Sequence, residues 1–237
     1  MNAFSPTARS RVKRLPKRAH YDREAVFAIL DAALLCHVGY VIDGQPYVTP
    51  TAFWREGDRL YWHGSSASRM LRAQSAGLPV CLTVAHLDGL VLARSGFHHS
   101  LNYRSVMAFG TAHKVDDPVE KAAALDAFVD RLYPGRRAEI RPNTAQELKA
   151  TTVLSMVIEE ASAKVRTGPP VDDEEDYALP CWAGVVPIRT IVDPALADPR
   201  LAPGVVWPDG LAAYAPGAKF ETVLGESAAP TEESYST

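Results

Sequence analysis

Between residues 34 and 63 the chain passes three times through one motif, a short apolar stretch rich in β-branched and aromatic residues, twice closed by a glycine turn. Leu34 to Ile42 ends at Asp43-Gly44, Gln45 to Trp54 ends at Glu56-Gly57-Asp58, and Arg59 to His63 follows. Asp-Gly between apolar runs is a strong hairpin signal, so this stretch predicts a three-stranded antiparallel meander. Pro46 and Pro50 lack ladder donors and are expected to forbid regular pairing throughout the second strand. Further apolar runs read as strands lie at 80–85, 89–93, 103–115 and 153–158, with 184–188 as a possible edge strand. The 80–85 and 89–93 runs read as two strands joined at His86-Leu87-Asp88-Gly89. Helices interrupt these strands without alternating with them, which argues against a doubly wound parallel sheet and for an antiparallel barrel or sandwich.

Two helices carry clear signatures. Asp22 is an N-cap candidate, followed by Val26, Ile29, Leu30 and Ala33 on one helical face. Pro118 suits a first turn, and Ala122, Leu125, Phe128, Val129 and Leu132 share a face behind it. A third, short helix opens near Ser68 and is expected to end at Gly77-Leu78-Pro79.

The chain divides into a basic arm (1–20), a folded domain (21–192) and a Pro/Gly/Ala-rich extension (193–237). The arm holds Arg9, Arg11, Lys13, Arg14, Lys17 and Arg18, and reads either as a solvated tail or as a strap to a partner subunit or anionic ligand. The stretch 228–237 is polar and expected to be mobile. With 25 Lys+Arg against 28 Asp+Glu the net charge is −3, which excludes a general polyanion binder, so no nucleic-acid partner is expected. No apolar run approaches the ~18–20 residues a bilayer span needs, and no secretory signal is evident, so no membrane partner is expected and a cytoplasmic location is. Three widely spaced cysteines form neither a disulfide framework nor a zinc knuckle.

Three segments carry chemistry. In His63-Gly64-Ser65-Ser66-Ala67-Ser68-Arg69 a strand hands over to a helix through a Gly/Ser turn. Free N–H groups, three hydroxyls and a guanidinium able to pair bidentately there suit a phosphate. The bland alternative is that Ser66 caps the helix and Arg69 lies on the surface. In His98-His99-Ser100-Leu101-Asn102-Tyr103-Arg104-Ser105 polar residues crowd before a strand. Adjacent histidines diverge on extended backbone and no HxH or HxxxH spacing accompanies them, so no metal site is predicted. In Tyr47-Val48-Thr49-Pro50-Thr51 a proline inside a strand frees backbone groups that could meet the polar edge of a flat ring; a bulge or edge strand is the alternative. The acidic run Asp172-Asp173-Glu174-Glu175-Asp176 reads as a solvated loop.

In this order and spacing, and together with Tyr21-Asp22-Arg23-Glu24, Leu60-Tyr61-Trp62-His63-Gly64-Ser65, Asp88 to Ser95 and Lys164 to Pro170, the chain resembles the pyridoxamine 5′-phosphate oxidase-related flavin-binding family, in its nitroimidazole-resistance-like and flavin-nucleotide-binding branch. The resemblance covers roughly residues 10–190. It implies a mainly β fold with peripheral helices, an antiparallel Greek-key split β-barrel of the FMN-binding type, acting as a homodimer with a flavin at each side of the interface. Carried over by position, Val48, Thr49 and Pro50 would lie along the ring, His63, Gly64 and Ser65 against the ring or ribityl chain, Ser68 and Arg69 at the phosphate, and Arg104 and Ser105 at a second ribityl or phosphate contact.

The match has gaps. The family's Arg-Lys pair is Arg69-Met70 here, one cation short, with Arg104 or an arm arginine as possible replacements. The oxidase's C-terminal Arg-x-His has no counterpart after Trp182, so pyridoxamine phosphate oxidation is not predicted. Trp182 reads equally as flavin cover or core filler. His37 and His63 are candidates to tune a bound flavin or to be plain structural histidines. The implied activity is FMN-dependent two-electron reduction of a small planar or nitroaromatic acceptor by a small-molecule electron donor. The alternatives are a flavin, deazaflavin or haem carrier or sensor without turnover, and an all-β interaction domain with an empty cleft.

Overall fold

In a computed structural model, described here for residues 2–227, the chain forms one antiparallel sheet that closes on itself. The strands are β1 (Ala19–His20), β2 (Leu35–Ile42), β3 (Gln45–Glu56), β4 (Arg59–Ser65), β5 (Ala76–Leu92), β6 (Ser100–Lys114), β7 (Thr151–Val157), β8 (Glu160–Arg166) and β9 (Gly184–Pro187). The helices are α1 (Arg23–Asp31), α2 (Arg69–Gln74), α3 (Pro118–Leu132), α4 (Ala145–Ala150) and α5 (Phe220–Ser227). The spatial order is β1-β8-β6-β7-β4-β3-β2-β5-β9, and β5 also pairs with β6. Strands β6, β7, β4, β3, β2 and β5 therefore make a ring, with β8 and β1 on a branch from β6 and β9 on the outer edge of β5. This is a split barrel. The branch point is on β6, which pairs with β8 over Tyr103–Phe109 and with β7 over Ala112–Lys114.

The two strongest helix signals are realised. The Asp22 side chain accepts from Ala25 N, and α1 buries Val26, Ile29 and Leu30. Asp117 accepts from the N–H groups of Val119 and Glu120 at the start of α3. The period-two alternation sorts the strands into two faces. Val38, Phe53, Leu60, Trp62, Leu82, Leu154 and Met156 fill the barrel with the apolar stripe of α1. Trp54, Tyr61, Val115, Ala124 and Val153 form a second cluster under α3. At the barrel centre Trp62 Nε1 donates to Gln74 Oε1 at 3.1 Å, so the buried indole N–H has a partner.

Several expectations need correcting. Pro46 and Pro50 do not disturb the ladder: β2 and β3 pair without a break from Leu35↔Ala52 to Ile42↔Gln45. The prolines are four residues apart, so both direct the missing N–H to the same side. That side is the edge of β3 away from β2, which pairs with β4 only from Phe53 to Glu56. Gly64 does not end β4, which continues to Ser65 opposite Thr151. The runs at 80–85 and 89–93 are one strand that begins at Ala76, with a register shift between Leu87 and Gly89 in place of a turn. Pairing with β6 on one side and β9 on the other overrides the Asp-Gly signal. Asp172 is buried, accepting from Arg94 N at 2.8 Å and Arg94 Nη1 at 3.0 Å, so the acidic run is anchored at its first residue.

The terminal segments pack on the barrel. Phe4 is buried at 6.2 Å from the Phe27 ring, and Arg9 pairs with Glu159 and Glu160. In the C-terminal extension Leu211, Val223 and Leu224 are buried, with α5 against α1 and α3. Residues 228–237, read above as mobile, lie outside the described residues. No helix among the described residues is long and apolar enough to cross a membrane.

Candidate functional site

The site grows from the place where β3 and β4 separate. They are paired only from Phe53↔Trp62 to Glu56↔Arg59, while β4 runs on to Ser65 and β3 extends back to Gln45. Over residues 46–50 one edge of β3 is therefore unpaired toward β4. Val48 has the same parity as Pro46 and Pro50, so its N–H and C=O face that open edge. Its side chain is 68% exposed. The opposite wall is the end of β4 and the start of α2. The Arg69 guanidinium spans the gap and lies 4.6 Å over the Tyr47 ring. Tyr47 is stacked on Tyr40 at 5.6 Å, and Tyr40 Oη and Thr49 Oγ1 are 3.0 Å apart. The floor of the gap is thus rigid.

Arg69 has no carboxylate partner among the described residues, in contrast to Arg9, Arg23, Arg55, Arg94 and Arg104. The Ser68 hydroxyl makes no cap bond to α2, and Ser65 Oγ accepts only from Ala67 N at 3.3 Å. With six residues, α2 adds little macrodipole, so anion attraction here rests on the guanidinium and hydroxyls. Met70, which follows Arg69, is buried in the barrel core and leaves the corner one cation.

His63 lies on the outer face of β4, its ring 4.8 Å from Phe128 and 5.7 Å from Trp54. Neither ring nitrogen is hydrogen-bonded, and Nδ1 is buried. Burial among apolar rings lowers its pKa, so the imidazole is neutral at physiological pH. Gly64 faces inward, where a Cβ would come 3.1 Å from Leu71 Cδ1. His37 is exposed on the outer face opposite Pro50 and Thr83. The nearby Cys36 thiol is pushed up to about 12 by burial and is inert.

Of the residues singled out in the sequence, Val48, Thr49, Pro50, His63, Gly64, Ser65, Ser68 and Arg69 flank this one gap. Arg104 and Ser105 do not. Arg104 lies on β6 opposite His86 of β5 and Val165 of β8, strands that do not border the gap. Its Nε and Nη2 donate to Asp88 at 3.0 and 2.7 Å, and Nη2 also reaches Glu221 of α5 at 2.6 Å. These carboxylates raise its pKa further above the ordinary arginine range. Ser105 Oγ donates to the Lys164 carbonyl at 3.3 Å. Trp182 does not fill core: it is 66% exposed, its ring against Gly184. Sequence reasoning missed Tyr47 as the platform for Arg69; an aromatic two residues before a strand threonine carries no signal of its own.

A closed antiparallel ring with one branching strand and an open, proline-flanked edge defines a split-barrel protein. The pyridoxamine 5′-phosphate oxidase family model matches residues 22–165, and the chain belongs to that family. Among solved structures, the flavocytochrome Anf3 from Azotobacter vinelandii is 53% identical over 90% of this chain and 100% of its own, with a TM-score of 0.85. The FAD and heme binding protein from Mycobacterium smegmatis is 39% identical over 85% of this chain and 99% of its own, with a TM-score of 0.81. No curated protein sequence matches the chain.

Proposed function

We propose that this chain is a flavin-binding redox protein that works as a homodimer and passes electrons from a small donor to a small flat acceptor, nitroaromatics included. The observation that carries the reading is Arg69, an arginine without a carboxylate partner, held on the Tyr47 ring across an open strand edge. In this reading Arg69, Ser65 and Ser68 bind the flavin phosphate, and the Val48 backbone meets the polar edge of the ring. When bound, the flavin supplies the hydride or electron chemistry, and the protein contributes binding, orientation and charge. FMN suits the single cation of the corner, whereas the mycobacterial relative binds FAD.

The 53% identity to a flavocytochrome favours a second group, a haem. A histidine holds haem iron through a neutral imidazole nitrogen, and His63, whose imidazole is neutral and makes no hydrogen bond, is the candidate ligand beside the proposed flavin edge. Other faces of the barrel expose Leu35, Val41, Leu87 and Met107, an apolar outer surface that a second copy would cover.

The test is the visible spectrum of the purified protein, with the released chromophore identified by mass. Arg69→Ala is expected to weaken flavin binding at least tenfold, and His63→Ala to abolish a haem Soret band while leaving flavin absorption. Protein that takes up neither FMN nor FAD, or an Arg69→Ala variant that binds as the parent does, overturns the reading.

A further inference from the structure

Where the C-terminal extension meets the barrel it leaves a cavity of about 220 Å³. Its walls come from distant parts of the chain: β5 from Ala85 to Asp88, Ala32 at the end of α1, residues 188–190 beyond β9, and Lys219 to Glu221 at the start of α5. Main-chain bonds fix those walls. Ile188 N donates to Asp88 O at 3.1 Å, Phe220 N to Thr190 O at 3.1 Å and Val192 N to Ala218 O at 2.9 Å. The volume is below the roughly 300–1,000 Å³ of sites for drug-sized ligands, so a flavin, a haem or a nucleotide does not fit.

Charge narrows what does fit. Arg104 and His86 are a cross-strand pair on the face that carries Val84 and Val106 into the core. Asp88 and Glu221 accept from Arg104 Nε and Nη2, which leaves Nη1 without a hydrogen bond among the described residues. Both carboxylates of the cavity are thereby engaged. Arg189 and Lys219 also line it, both exposed and neither with a carboxylate partner among the described residues. Three cations thus stand against two carboxylates, and the cavity favours an anion. His86 adds selectivity. Its Nε2 lies 3.0 Å from the Ile29 carbonyl, which only accepts, so Nε2 carries the proton. The neutral ring then offers Nδ1 as an acceptor, and Nδ1 has no partner among the described residues. A ligand that satisfies the cations and Nδ1 together is a small oxyanion that still holds a proton.

We propose that this cavity binds hydrogen phosphate, at a second anion site separate from the strand gap at Arg69. The phosphate oxygens accept from Arg104 Nη1, Arg189 and Lys219, and the P–OH donates to His86 Nδ1. Sulfate has the same shape but no proton at neutral pH, so it would set an oxygen lone pair against the Nδ1 lone pair and leave that acceptor unpaired. Once occupied, the site ties Arg104 of the barrel to Arg189 and Lys219 of the extension, and binding holds the extension down. The inference does not depend on the flavin reading.

The experiment is isothermal titration calorimetry of the full chain with inorganic phosphate at about pH 8, with ionic strength held by chloride, alongside thermal unfolding. It is run on the parent and on Arg69→Ala, in which the strand gap has lost its cation. Both are expected to bind one phosphate per chain saturably, with a Tm that rises with phosphate concentration, as for any ligand that binds only the folded state. Arg189→Ala combined with Lys219→Ala is expected to weaken binding roughly tenfold or more, because each removes a charged donor. Its circular dichroism is expected to match the parent's, since both side chains are exposed. Sulfate is expected to bind the parent roughly tenfold more weakly than phosphate. Absence of saturable binding, or an unchanged affinity in the Arg189→Ala, Lys219→Ala variant, overturns the proposal. Sulfate binding as tightly as phosphate overturns the assignment to hydrogen phosphate. Binding present in the parent and lost in Arg69→Ala belongs to the flavin corner, which overturns this site and supports the flavin reading.

Discussion

Gly110 is where β6 leaves β8 and turns toward β7, and replacing it with alanine tests the split-barrel geometry directly. A Cβ there would lie 2.3 Å from Val157 O, 2.6 Å from Met156 Cγ and 3.1 Å from Met156 Sδ. Met156 can change rotamer, but Val157 O belongs to the backbone of β7, so the strands must part. Overpacking a well-packed core costs typically 1–3 kcal/mol, and a clash against paired backbone belongs at the upper end, about 3 kcal/mol. For a chain of this size each kcal/mol moves Tm by roughly 2–4 °C, so Gly110→Ala is expected to melt about 6–12 °C below the parent. Gly96→Ala is the control, because nothing lies within 4 Å of its Cβ and its φ is not left-handed. The assay is thermal unfolding followed by circular dichroism at a fixed scan rate. A Gly110→Ala protein melting within 2 °C of the Gly96→Ala control, on the scale set by the same relation, would refute the close approach of β6 to β7.

Asp31 accepts from Arg55 Nε at 2.9 Å, while Arg131 Nη2 donates to the Asp31 carbonyl at 2.6 Å and its Nη1 stands 3.7 Å from the carboxylate. Asp31→Ala strips a buried guanidinium of its counter-charge and is expected to cost about 3–5 kcal/mol by urea unfolding; a loss below about 1 kcal/mol contradicts the burial of Arg131. Glu147 is held down to about 2, first by the Arg141 hydrogen bond and then by the Thr144 N–H and hydroxyl of the capping box. The carboxylate form is the stabilising one, so its contribution is present above the unfolded pKa and fades as pH falls from about 4.5 toward about 2; a carboxyl titration by NMR with a midpoint near 4.5 removes the cap. His63 has the opposite chemistry. Its folded pKa is lowered, so stability is complete above the ordinary histidine value near 6.5 and declines as pH falls below it, because the unfolded chain takes up the proton first. An imidazole NMR titration with a midpoint at or above 6.5 contradicts its placement between Trp54 and Phe128.

What was legible in the sequence was local. The stripe of α1, the Asp117-Pro118 start of α3 and the hairpin at Asp43-Gly44 depend on neighbours a few residues away. β8 was not legible: Glu160–Arg166 has buried Ala161, Ser162 and Ala163 and no apolar alternation, and it is a strand because β1 and β6 flank it. The continuity of β5 was hidden because Asp88-Gly89 looks like a turn, whereas Gly89 serves a close approach, its Cβ position lying 3.0 Å from Val186 O. At the site, the segments around Val48 and Arg69 were readable by type. The fate of Arg104 was not, since its second carboxylate, Glu221, comes from 117 residues further along the chain.

The packing of α5 against α1 has a bearing on how the protein is made. Leu224 is fully buried, and the helix it meets ends at Asp31, 189 residues before α5 begins at Phe220. The nascent barrel must therefore wait, with the side of α1 uncovered, until the intervening chain and α5 have left the ribosome. At about 5–20 residues per second that interval is on the order of ten seconds or more, long compared with the folding of an isolated small domain. A chaperone that shields apolar helix faces would find its substrate in that window.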